Sequence, residues 1–216
     1  MITKHTAAAR LTAGLTLAAA LTGCAPLLLG GAVLGGGMVA TDRRTTGTQV
    51  EDQSIEIRAA SRVRDLATLG HVNATSYNRV LLLTGEVPGE TERAGIEAAV
   101  ARIENVKTVV NEVAITGNSS FGSRSNDAVL AAKVKATLVD TKDVQAHAYK
   151  VVAERGIVYL MGRVTEREAV RGAAVASSVG GVQKVVRVFD ILTEEELGGL
   201  GRSAAADPAP TAIAPK

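Results

Sequence analysis

Val80-Leu81-Leu82-Leu83-Thr84-Gly85-Glu86-Val87 returns further along the chain as Ile157-Val158-Tyr159-Leu160-Met161-Gly162-Arg163-Val164. Both runs have the aliphatic and β-branched composition of a strand. Gly85 and Gly162, each inside such a run, mark a bulge or a close backbone approach. A repeat decides architecture before any finer assignment, and this one extends outward in both directions. Downstream, Ile96, Ala99, Val100 and Ile103 correspond to Gly172, Val175, Ala176 and Val179 at helical spacing. Val109, Val110, Val113 and Ile115 then correspond to Val185, Val186, Phe189 and Ile191. Upstream, Val72-Asn73-Ala74-Thr75-Ser76-Tyr77 aligns with Val144-Gln145-Ala146-His147-Ala148-Tyr149, which predicts a strand in both places. Apolar stripes at Ile55, Ala59, Val63 and Leu66, and at Leu130, Val134 and Leu138, predict an opening helix for each copy.

Each copy thus reads helix, strand, strand, helix, strand. The expected fold class is α+β, two tandem αββαβ modules at residues 50–117 and 124–193. A module of about 65 residues buries only a small core. The Leu81–Leu83 run is apolar on both faces of its strand, so the back of the sheet should be covered, either by the other module or by a partner.

The only cysteine, Cys24, closes the run Leu21-Thr22-Gly23-Cys24. Ahead of it come Lys4, Arg10 and an apolar stretch, the pattern of a secretory signal peptide at 1–23. The run also resembles the lipobox of bacterial lipoproteins. That resemblance implies acylation of Cys24 as the first mature residue, and Ala25-Pro26 after it implies sorting to the outer membrane, on the periplasmic face. Each buried methylene contributes about 0.8 kcal/mol, so several acyl chains anchor without a spanning helix. Residues 24–49 are expected to be a lipidated, glycine-rich tether; its apolar part, Leu27–Ala40, is too short to cross a bilayer core of about 30 Å as a helix. The alanine-, proline- and glycine-rich stretch 198–216 is expected to be disordered.

Removing residues 1–23 leaves 22 basic and 22 acidic residues, but the balance is uneven within the chain. Residues 50–117 carry 7 basic and 10 acidic side chains, and 124–191 carry 11 and 7. Only the second module suits an anionic headgroup layer. With three tyrosines, two phenylalanines and no tryptophan, a base-stacking surface for nucleic acid is not expected.

The element order and the Leu-x-Gly-x-Val signature in both copies (Leu83–Val87 and Leu160–Val164) resemble the BON domain. Together with the lipobox, Ala40-Thr41-Asp42-Arg43, Ser125-Asn126-Asp127 and the run Val158–Ala169, they are similar to dual-BON outer-membrane lipoproteins that support envelope integrity and localise to division sites. The resemblance implies that the first helix of the second module binds anionic phospholipid, phosphatidylglycerol or cardiolipin. The residues agree with this. On a helix from Asn126 to Val139, Leu130, Val134 and Leu138 face the core. Val129, Ala132, Ala136 and Val139 face away, with Lys133 and Lys135 at the margins, where lysine stems can snorkel to phosphates. Alanines chosen for helix propensity on an ordinary solvated face would give the same pattern. At the position where a close relative in the family carries tryptophan, this chain has Val129, which removes an aromatic interface anchor.

No catalytic constellation stands out, and neither an enzyme nor a metal or other cofactor is expected. His71 and His147 belong to no ligand motif such as His-Glu-x-x-His. The alternative function is an adaptor for outer-membrane assembly or cell-wall remodelling machinery, docking through the Leu81–Leu83 strand and the acidic first module.

Overall fold

The computed structural model describes residues 42–67 and 69–205, with side chains to residue 200. Cys24, the signal peptide and most of the tether lie outside these residues, as do residues 206–216. The first module consists of α1 (Thr46–Leu66), β1 (His71–Tyr77), β2 (Val80–Val87), α2 (Glu90–Val100) and β3 (Thr108–Ile115). The second consists of α3 (Phe121–Asp140), β4 (Lys150–Glu154), β5 (Ile157–Thr165), α4 (Glu166–Ser177) and β6 (Lys184–Leu192), followed by α5 (Glu194–Ala205). Each sheet has its hairpin strands antiparallel and its third strand parallel to the middle one, in the orders β1-β2-β3 and β4-β5-β6.

Alternation along β2 explains the apolar run. Leu81 and Leu83 join Ile55, Ala59, Val63, Ile96 and Val100 in the helix-side core. Leu82 points the other way and packs with Tyr77, Tyr159 and Met161. The backs of the two sheets therefore cover each other, with Val110, Val152, Val186 and Val188 around the contact. All three leucines are buried, so the strand is not the docking surface that the adaptor reading requires. The second module has its own helix-side core around Leu130, Val134, Leu138, Val158, Leu160 and Val164.

One device closes both hairpins. Their turns carry paired left-handed residues, Asn78 and Arg79 in the first and Arg155 and Gly156 in the second, the conformation of a two-residue type I′ turn. A buried aspartate on each opening helix accepts the exposed turn amides. Asp52 accepts from the Asn78 and Arg79 N–H groups at 2.8 and 2.7 Å, and from the Ser76 hydroxyl at 2.7 Å. Asp127 accepts from the Arg155 and Gly156 N–H groups, both at 2.9 Å.

Four expectations need correction. The strand expected at Val144–Tyr149 is a 3₁₀ turn at Ala146–Ala148, and β4 starts only at Lys150. Counting back from the turns, Tyr77 corresponds to Glu154, not to Tyr149; the Val-x-Ala-x-x-Tyr match was composition without register. The tether does not extend to residue 49, because Asp42–Arg44 are bonded into the fold and Thr45 caps α1 by accepting from the Thr48 N–H. Residues 198–205 are helical, since Thr193 and Glu196 form a reciprocal cap that starts α5. Leu66, counted in the core stripe, is 40% exposed at the end of α1.

Gly85 and Gly162 mark close approaches: a Cβ at either would collide with a backbone carbonyl oxygen of the adjacent segment, that of His71 or of Ala148. Only Gly85 also has a left-handed φ, of 119°.

Candidate functional site

α3 begins five residues before Asn126, because the Ser120 hydroxyl caps it by accepting from the Ser123 N–H at 3.1 Å. The extra turn adds Phe121 to the helix. At 3.6 residues per turn, Phe121 and Val139 are about five turns apart and share one azimuth, with Ala128 and Ala132 almost in line. Phe121 is 78% exposed, Val139 63% and Val129 53%. Ala128, Ala132, Lys133 and Ala136 are exposed as well. The outward row is therefore longer than the periodicity from Asn126 suggested, and it is headed by an aromatic ring. Leu130, Val134 and Leu138 face inward as expected.

Lys135 is placed differently from Lys133. It is half-buried, and its Nζ donates to the carbonyl oxygens of Ala146 and Tyr149 at 2.6 and 2.9 Å. Burial lowers its pKa. The carbonyls of Ala146, in the 3₁₀ turn, and of Tyr149, just after it, are what draw this side chain off the exposed face. Periodicity placed Lys135 at the margin of that face and gave no sign of the turn beside it.

The same flank of α3 lies near the Asp42–Arg44 segment, which joins the modules. Arg43 donates to both carboxylate oxygens of Glu168 at 2.7 and 2.8 Å and to the Arg163 carbonyl at 2.9 Å. Arg163 returns a bond to the Arg43 carbonyl at 3.0 Å. Glu168 is also the third residue of the capping box that starts α4 with Thr165. Hydrogen bonds from Arg43, more than burial opposes them, hold its carboxyl below the usual value. Arg44 spans from Asp42 to Asp52 on α1, and its guanidinium stacks 4.1 Å from the Tyr77 ring centroid. Further links run between the modules: Asn78 to Asp190, Asn73 to Glu154, Lys150 to Glu56 and Arg155 to Glu86.

Tyr149 completes the second module's core. Its ring lies where a side chain at position 172 would go, so Gly172 stands where the first module has Ile96. Its hydroxyl donates to the Glu168 carbonyl at 2.7 Å, and burial together with the Glu168 charge pushes its pKa up to about 12. Among the described residues no group of three or more His, Cys, Asp or Glu side chains is arranged to hold a metal ion, and no helix is long and apolar enough to cross a membrane.

The BON domain family matches residues 52–117 and 126–193. The chain is 38% identical over 175 residues to the outer membrane lipoprotein DolP of Haemophilus influenzae, covering 80% of this chain and 90% of that one. It is 32% identical over 152 residues to a 21 kDa hemolysin of Actinobacillus pleuropneumoniae, covering 69% of this chain and 78% of that one. With two such domains packed back to back and this likeness along most of its length, the chain belongs to the BON-domain family, as a dual-module outer-membrane lipoprotein.

Proposed function

We propose that the protein is held at the periplasmic face of the outer membrane by acyl chains on Cys24, and that it reads anionic phospholipid through the outward face of α3. Phosphatidylglycerol and cardiolipin are the intended lipids, and support of envelope integrity, including at division sites, is the cellular role. The single observation behind this reading is the exposed row on α3. Phe121, Val129, Ala132, Ala136 and Val139 face solvent together, with Lys133 beside them. Small and apolar residues with an aromatic ring at one end and a lysine at the flank suit a helix lying in the headgroup layer. The +4 balance of residues 124–191, from 11 basic and 7 acidic side chains, favours the anionic surface. Phe121 takes up the interface role that valine at 129 does not fill.

A flotation assay on the mature chain with Cys24 replaced by serine tests this. Vesicles containing phosphatidylglycerol should carry the protein upward, and phosphatidylcholine vesicles should not. Phe121→Ser with Val139→Ser should abolish flotation, and Lys133→Glu should weaken it. Flotation unchanged in both variants would remove α3 from the account.

A further inference from the structure

Lys135 has no role in the outward row, and its surroundings are those of a binding site. Its ammonium touches two carbonyl oxygens and no carboxylate among the described residues. A partly desolvated cation held only by neutral dipoles lacks a counter-charge, an arrangement that favours an anion. Lys135 opens onto a cleft of about 440 Å³ between α3, the start of β4 and the Asp42–Arg44 segment. Arg44, His147 and Lys150 also line it, and Asp42 is the lone carboxylate there. That carboxylate is already taken by Arg44, at 2.7 Å and 3.1 Å. Arg44 is further satisfied by Asp52, and Lys150 by Glu56 and the Ser76 carbonyl. The unmatched charge in the cleft is therefore that of Lys135. Ala131 and Val151 give one wall apolar character, which suits a short carbon skeleton attached to the anion.

We propose that this cleft binds a phosphate ester of a small polyol, with Lys135 as its principal contact and Lys150 and His147 at the rim. Two of the three Lys135 N–H groups go to the carbonyls, which leaves one donor and the full positive charge for the phosphate, and lysine binds phosphate as such a point charge. The ester is either a free metabolite or the headgroup of a lipid. Lys135 sits on the flank of the row that faces the membrane under the reading above, so both sources reach it. The cleft itself does not depend on that reading.

The experiment is a titration of the mature chain, again with Cys24→Ser, with glycerol 3-phosphate, followed by amide resonances at constant ionic strength, with glycerol as the control. Saturable shifts confined to Ala131–Lys135, His147–Val151 and Asp42–Arg44 are expected. They should vanish in Lys135→Gln, persist in Lys135→Arg, and be unaffected by Lys184→Gln on an exposed strand end. Absence of saturable shifts in the unsubstituted chain, or their persistence in Lys135→Gln, would overturn the proposal. If Lys135→Gln does not fold, the location of the shifts in the unsubstituted chain decides alone. A second arm separates the sources: glycerol 3-phosphate displaces the protein from phosphatidylglycerol vesicles if the headgroup enters the cleft, and leaves flotation intact if the anion is free. Loss of flotation in the Phe121→Ser, Val139→Ser double variant with the titration unchanged would separate the two sites. A chain that titrates but never floats would sink the membrane reading and leave the cleft standing.

Discussion

Arg43 and Glu168 meet fork to fork, with two hydrogen bonds of 2.7 and 2.8 Å between residues 125 positions apart. Both side chains are about nine-tenths buried. The segment that precedes the first module in sequence is therefore fastened to the helix cap of the second. Arg43→Ala should remove this link and leave a buried carboxylate without its charge partner. A loss of roughly 2 kcal/mol in unfolding free energy is expected, read from urea denaturation. Glu168→Ala should cost more, because it also removes the capping box of α4. Equal midpoints for both variants and the parent would mean that the clasp contributes nothing.

Asp52 and Asp127 hold equivalent turns but carry unequal loads. Asp127→Ala leaves two turn amides unpaired and should destabilise by roughly 1–3 kcal/mol. Asp52→Ala strips partners from the corresponding Asn78 and Arg79 amides, from the Ser76 hydroxyl and from Arg44. It should be the more damaging of the two. Hydrogen exchange at Asn78 and Arg79, compared with Arg155 and Gly156, would report each turn separately; protection unchanged in both variants would contradict the role given to these carboxylates.

Acid acts on two glutamates with opposite sign. Burial pushes the Glu154 carboxyl above its ordinary value of 4.5, and the Asn73 hydrogen bond only partly offsets it. Its contribution to stability is full below 4.5 and is lost as pH rises through the raised native value. Glu168 is held below 4.5 by Arg43, so its contribution is present above 4.5 and is lost as pH falls through the lowered native value. On acidification from neutral pH, stability should first rise as Glu154 takes a proton, then fall as Glu168 does. Glu154→Gln should flatten the rise without moving the fall. A monotonic decline in the parent chain would contradict this order.

Two glycines should respond oppositely to alanine. Gly85→Ala places a Cβ against the His71 carbonyl at a left-handed φ and should destabilise the first module. Gly95 lies on the solvent side of α2, where an added Cβ meets nothing within 4 Å. Gly95→Ala should stabilise by about 0.5–1 kcal/mol through helix propensity. Thermal unfolding of both variants decides, and a shift of the same sign in each would count against the account.

Much of the fold was legible because burial imposes period on sequence. Ile55, Ala59 and Val63, and Leu130, Val134 and Leu138, announced their helices by facing a core. The double-sided Leu81–Leu83 run announced a covered sheet back. The start of α3 was not legible from Asn126, since its cap is Ser120 and the first turn has no inward apolar residue to extend the stripe. Phe121 was missed for that reason. The hairpin role of Asp52 and Asp127 was not legible because a turn amide leaves no periodic trace.

The repeated strand, the opening helices, the glycines and the unequal charge of the two modules were determined by the sequence alone, because each follows from local pattern or composition. Only the tertiary structure decided that Leu82 meets Tyr159 and Met161, that Arg43 reaches Glu168, and that Lys135 turns inward while Lys133 stays out. Those are contacts between distant segments. They depend on which carbonyl or carboxylate the fold brings within about 3 Å, and chain spacing carries no record of that distance.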